Sequence, residues 1–122
     1  MSEPKRLALV AIGGMVGALT RYGISVGFES EWPWATLLIN ILGALAIGVI
    51  AGTLTRGGPP VLWPLLITGL LGGFTTVSAF ALETFAFFET GSLVLGFGYF
   101  TLTMAGGLTA VAIGHRLAGD RL

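Results

Sequence analysis

Residues 72–84 read GGFTTVSAFALET, and they place three threonines, a serine and a glutamate inside an apolar run. Whether this stretch is a soluble loop or part of a lipid-spanning segment decides the fold. Composition answers the question. A chain of 122 residues that is 54% hydrophobic and 10% charged, with mean hydropathy +0.91, cannot present an ordinary soluble surface.

Working outward, four apolar runs appear, at roughly 7–28, 33–54, 60–88 and 92–115, with charges almost confined to the gaps. An apolar helix needs about 20 residues to cross a hydrocarbon core of about 30 Å, so each run can span. The reading is an all-α membrane protein: one domain over residues 1–122, with four transmembrane helices. The first run follows Lys5 and Arg6 in the manner of a signal peptide, but no clear small-residue cleavage site follows it. The connections ESEWPW, TRGGPP and ETGS are turn-forming and too short for an enzymatic domain. Pro33, Pro59 and Pro60 stand at helix starts, and Trp32, Trp34 and Trp63 lie near span ends as interfacial aromatics.

The zero formal charge argues against nucleic acid as a partner, and with no cysteine there is no disulfide or thiolate site. His115 is the only histidine and has no nucleophile near it in sequence, so nothing suggests an enzyme. With four spans, Lys5, Arg6, Arg56, Arg116 and Arg121 fall on one side, and Arg21 alone near the other, beside Glu29, Glu31 and Glu89. The positive-inside rule then predicts cytoplasmic N- and C-termini in a plasma (inner) membrane.

Small residues recur every four positions at Gly13–Gly17, Ala44–Gly48–Gly52, Gly69–Gly73 and Gly106–Ala110–Gly114, which predicts closely packed helix faces. Polar residues extend such stripes: Arg21 follows Gly13 and Gly17, Thr36 and Asn40 precede Ala44, and Tyr99 and Thr103 precede Gly107. Groups so costly to bury in hydrocarbon need partners or a watery cavity.

Within the third span, paired glycines followed by β-branched residues predict a break near its middle. Non-helical backbone at that depth requires protein, water or an ion to satisfy it. Freed carbonyls suit a hard cation such as sodium, and the N-terminus of the following half-helix favours an anion. Asn40, Ser78, Thr36, Thr103 and Tyr99 can all donate hydrogen bonds, and Arg21 adds positive charge at one mouth, so the donor set points to an anion. Glu83 either bonds a neighbouring helix or lines the path, and Phe80 could present its positive ring edge to a small anion or simply pack.

The segments GLLGGFTTVSAFALET (69–84), WATLLINILGALAIGV (34–49) and GGMVGALTRYGIS (13–25) together resemble the Fluc fluoride channels, also called the CrcB family. The resemblance covers essentially the whole chain. It implies an antiparallel, dual-topology-type dimer of four-helix subunits, passing fluoride passively through two pores. By motif, Asn40 corresponds to the pore asparagine and Phe80 to the second pore phenylalanine, with Ser78 between the two phenylalanine positions. Arg21 corresponds to a vestibule arginine and Glu83 to the glutamate beyond the phenylalanines. Tyr99 and Thr103 correspond to a polar track. The backbone carbonyls of Gly72 and Thr75 correspond to a structural Na⁺ site on the dimer axis.

Two positions depart from the family pattern: Val77 stands where the first pore phenylalanine belongs, and Gly107 where a third hydroxyl belongs. The basic bias, five against one, further suggests a single insertion orientation and a homologous, oppositely inserted partner that supplies the missing aromatic. Two other readings are a small multidrug-resistance-type proton-coupled transporter and a non-conducting membrane subunit. The first needs an acid within the first span, where this chain has Arg21.

Overall fold

The structure, a computed structural model, describes residues 1–119; Arg121, counted above among the basic residues, lies outside them. The elements are α1 (Glu3–Gly27), α2 (Trp34–Leu54), a π-helical segment (Trp63–Leu71) running into the short α3 (Gly72–Phe74), then α4 (Val77–Glu89) and α5 (Leu93–Leu117). The π segment, α3 and α4 together form the third crossing, so four apolar spans of 25, 21, 27 and 25 residues result. At about 1.5 Å per residue each exceeds the hydrocarbon thickness of about 30 Å. The spans leave large apolar side chains uncovered on their outer faces, Val94 at 85% and Leu108 at 74% exposed among them.

The predicted small-residue stripes are the contact faces. A Cβ added to Gly13 would lie 2.2 Å from the Leu65 carbonyl oxygen, and one on Gly17 would lie 2.0 Å from that of Leu70. These approaches fix α1 on the π segment. In the same way Gly48 and Gly114 set α2 on α5, where added Cβ atoms would meet the Val111 and Leu45 carbonyls, each at 2.3 Å. Only glycine permits such backbone proximity, and in lipid that proximity provides the packing contacts.

Connections segregate to two ends. Arg56, between the second span and the third, donates to the Ala118 carbonyl at the C-terminal end of α5. At the opposite end Ser30, Glu31 and Pro33 share a cavity wall with Thr90. There α4 stops in a glycine cap: Gly91 takes φ +79°, with its N–H on Phe88 and the Ser92 N–H on the Phe87 carbonyl.

The third span is broken, but the two glycines are not where it opens. Gly72 is right-handed helical at φ −62°, ψ −35°, whereas Thr75 (−78°, 160°) and Thr76 (−148°, 118°) are extended. The β-branched residues carry the break, in keeping with their preference for extended backbone. Gly73 serves packing instead, since a Cβ there would meet the Gly14 carbonyl oxygen at 2.4 Å.

Candidate functional site

The break is held open by one side chain from another helix. Asn40 of α2 donates from Nδ2 to the Thr76 carbonyl at 2.9 Å and accepts the Thr76 N–H on Oδ1, also at 2.9 Å. The amide thus pairs with a peptide as a neighbouring strand would. Thr76 then caps α4: its Oγ1 accepts the Ala79 N–H at 3.1 Å and lies 3.1 Å from Ser78 Oγ. Two of the donors expected to serve an anion, Asn40 and Ser78, are therefore tied to Thr76. Asn40 keeps one N–H beyond the bond to Thr76.

The same bonds account for two carbonyls. In a continuous α-helix the Gly72 carbonyl would receive the Thr76 N–H, and the Thr75 carbonyl that of Ala79. Those donors go to Asn40 and to Thr76 Oγ1 instead. Gly72 is also exposed. Among the described residues no group of three His, Cys, Asp or Glu side chains could hold a metal.

Further along α4 lies a second cluster. The Glu83 carboxylate accepts from Thr36 Oγ1 at 2.7 Å on one oxygen and from the Tyr99 hydroxyl at 2.6 Å on the other. Tyr99 is fully buried. Trp32 stands over it edge-on, with ring centroids 5.8 Å apart and planes at 80°, and also contacts Phe87 at 5.4 Å. Phe80 is buried beneath, 5.5 Å from Tyr99 and 5.7 Å from Phe100 between centroids.

Cavities connect these groups. One of about 430 Å³ brings Arg21 from α1 together with Thr36, Thr76 and Ser78. A second, about 250 Å³, is lined by Asn40, Thr75, Thr76, Val77, Phe80 and Thr103. Thr103 Oγ1 is buried there with no hydrogen-bond partner, a hydroxyl left for an acceptor. A third, about 270 Å³, has Asn40, Gly43, Ile67, Leu71, Gly72 and Thr75 in its wall. Glu83 opens on a fourth, about 310 Å³, with Ser30, Glu31 and Thr90.

Every residue singled out from sequence thus falls on one of these cavities except Tyr99, which reaches them through Glu83. Val77 projects outward at 80% exposed. Sequence reasoning missed two residues. Thr76 was only one of several hydroxyls near the break, although a threonine immediately before an apolar helical run is an N-cap signal. Trp32, by sequence an interfacial aromatic, is half-buried and packs over Tyr99, and no local pattern distinguishes it from Trp34, which is 54% exposed.

Comparison with known proteins places these features. The family described as CrcB-like protein, Camphor Resistance (CrcB), matches residues 8–115. A protein of Paracoccus denitrificans named fluoride-specific ion channel FluC is 42% identical over 108 residues, covering 86% of this chain and 87% of that protein. Bearing the same name, a protein of Chloroflexus aurantiacus is 42% identical over 113 residues, covering 86% and 88% of the two chains. A third, from Desulfotalea psychrophila, is 43% identical over 109 residues, covering 86% and 85%.

Proposed function

The chain belongs to the CrcB family, and from that premise we propose that it is a passive, fluoride-specific ion channel rather than an enzyme or a coupled pump. Kinship over most of the chain with proteins named as fluoride-specific channels carries this reading. The arrangement of donors supports it. Fluoride is small and strongly hydrated, so a path for it must replace water with close, fixed donors and little room for a larger halide. Asn40 and Thr103, whose buried hydroxyl has no protein partner, line one cavity together with Phe80, and Arg21 supplies positive charge to the adjoining one. With a potential negative inside, about 2.3 kcal/mol per 100 mV drives an anion outward, so export across the plasma membrane needs no further energy source and confers resistance to fluoride.

The open cavities and the outward-facing Val77 suit a path completed by a second subunit inserted antiparallel. The basic bias favours a homologue fixed in the other orientation, with both termini of this chain in the cytoplasm. Such a partner supplies the aromatic edge that Val77 lacks. The Gly72 and Thr75 carbonyls, deprived of helical donors, fit a structural sodium ion at this face. Bound there, the ion contributes a fixed positive charge and no redox or proton chemistry.

Fluoride efflux from liposomes holding the purified chain tests the proposal. Release is expected without a proton gradient or nucleotide, either from this chain alone or together with its homologue. Asn40→Asp abolishes it, because a carboxylate repels the ion and the Thr76 carbonyl alike. Inertness toward fluoride in both preparations would leave a non-conducting subunit, and proton-driven cation uptake would leave a drug transporter.

A further inference from the structure

Asn40 is the side chain from outside the third span that lines both the cavity shared with Phe80 and Thr103 and the cavity shared with Gly72. Its two bonds to Thr76 act in both directions. By taking the Thr76 N–H they leave the Gly72 carbonyl without the donor a continuous helix would give it. By using one Nδ2 hydrogen they aim the other, since a planar amide with two of its groups fixed has no freedom left to turn.

We propose that Asn40 couples the cation face of the break to the anion path, so that occupancy of one raises affinity at the other. The inference rests on the sodium part of the reading above and adds the route between the two sites. In this role Asn40 is a positioning residue for the Gly72 carbonyl, apart from any contact of its own with the anion. The route is one side chain long. If the clamp loosens, the Thr76 N–H can return to Gly72, and the carbonyl and the directed amide hydrogen are lost together. A cation that holds the Gly72 carbonyl away from Thr76 keeps the clamp shut, and an anion on the remaining N–H does the same from the other cavity.

Binding linkage makes this reciprocal: fluoride must shift sodium affinity by the factor with which sodium shifts fluoride affinity. The experiment follows thermal unfolding of the purified protein, in its conducting assembly in detergent, as sodium replaces potassium, in fluoride and in chloride. Sodium is expected to raise the midpoint, and fluoride to lower the sodium concentration for half-maximal effect by about 5- to 150-fold, the usual range of such coupling. In Asn40→Ala the half-maximal sodium concentration rises and no longer depends on fluoride. Thr53→Val, which removes an exposed hydroxyl that bonds only the Val49 carbonyl on the same helix as Asn40 and leaves the clamp, keeps the fluoride-dependent sodium response.

A sodium response in the wild type that ignores fluoride overturns the coupling, even if Asn40→Ala does not fold. So does an Asn40→Ala protein with the wild-type response to both ions. A wild type that shows no sodium response removes the cation site and this inference with it, while the fluoride efflux of the preceding section stands or falls separately.

Discussion

The helix break and the Glu83 cluster share α4 and the same penalty for polar groups in hydrocarbon, yet they meet it differently. At the break a neutral amide pairs with a backbone peptide through two bonds of 2.9 Å. At Glu83 a carboxylate gathers two hydroxyls at 2.7 and 2.6 Å. The second cluster bonds α4 to two other helices, α2 and α5, whereas the first bonds the break to α2 alone, so the second is the wider fastening of α4. The first determines where backbone atoms point. The difference separates a cluster that holds helices together from one that shapes a path, and variants can set the two apart.

The largest effect on stability is expected at Glu83→Ala. The change leaves the Thr36 and Tyr99 hydroxyls without an acceptor, and each unsatisfied buried group costs about 1–3 kcal/mol. A loss of about 3 kcal/mol should appear in reversible unfolding followed by far-ultraviolet circular dichroism, with Tyr99→Phe losing roughly half as much because the carboxylate keeps Thr36. A Glu83→Ala protein as stable as the wild type would mean that the carboxylate does not fasten the helices, and the contrast drawn above would collapse.

Next comes Thr76→Val, which keeps the β-branched shape that suits the extended backbone but removes the oxygen that caps α4 and reaches Ser78. An N-cap is worth about 1 kcal/mol, so a smaller stability loss than at Glu83 is expected. Fluoride efflux should nevertheless fall more steeply than in Tyr99→Phe, because the first turn of α4 forms the cavity wall beside Asn40 and Phe80. The reverse order of fluxes would assign the path to the Glu83 cluster.

The sequence made the number of spans legible because twenty apolar residues have few other uses. It made the packing stripes legible because four-residue spacing in small side chains has a direct geometric meaning. It also predicted a break in the third span, but not where, because glycine signals both backbone freedom and close approach. At Gly73 close approach won, and the extended residues were Thr75 and Thr76. The partners at the site were less legible still. Asn40 meets Thr76 across 36 positions, and Thr36 meets Glu83 across 47, so these pairings exist only once α2 lies against the third span. Stripe arithmetic placed each residue on an inward face, and could not say that donors counted for an anion would be shared with the protein's own acceptors.

Thr84 provides the smallest expected effect. It follows Glu83 in sequence and is just as polar to a reader of the chain, and it is buried, but its hydroxyl donates to the Phe80 carbonyl one turn back on its own helix at 2.7 Å. That carbonyl belongs to the helical ladder, so Thr84→Val removes a local bond without orphaning an acceptor, and valine has nearly the same shape. A loss below about 1 kcal/mol follows, with fluoride efflux within about twofold of the wild type. The prediction bears on the comparison because it distinguishes polarity from connection. Were Thr84→Val to cost as much as Tyr99→Phe, the stability of α4 would depend on how many hydroxyls it buries rather than on which of them reach another helix, and the Glu83 cluster would lose its standing as the fastening point.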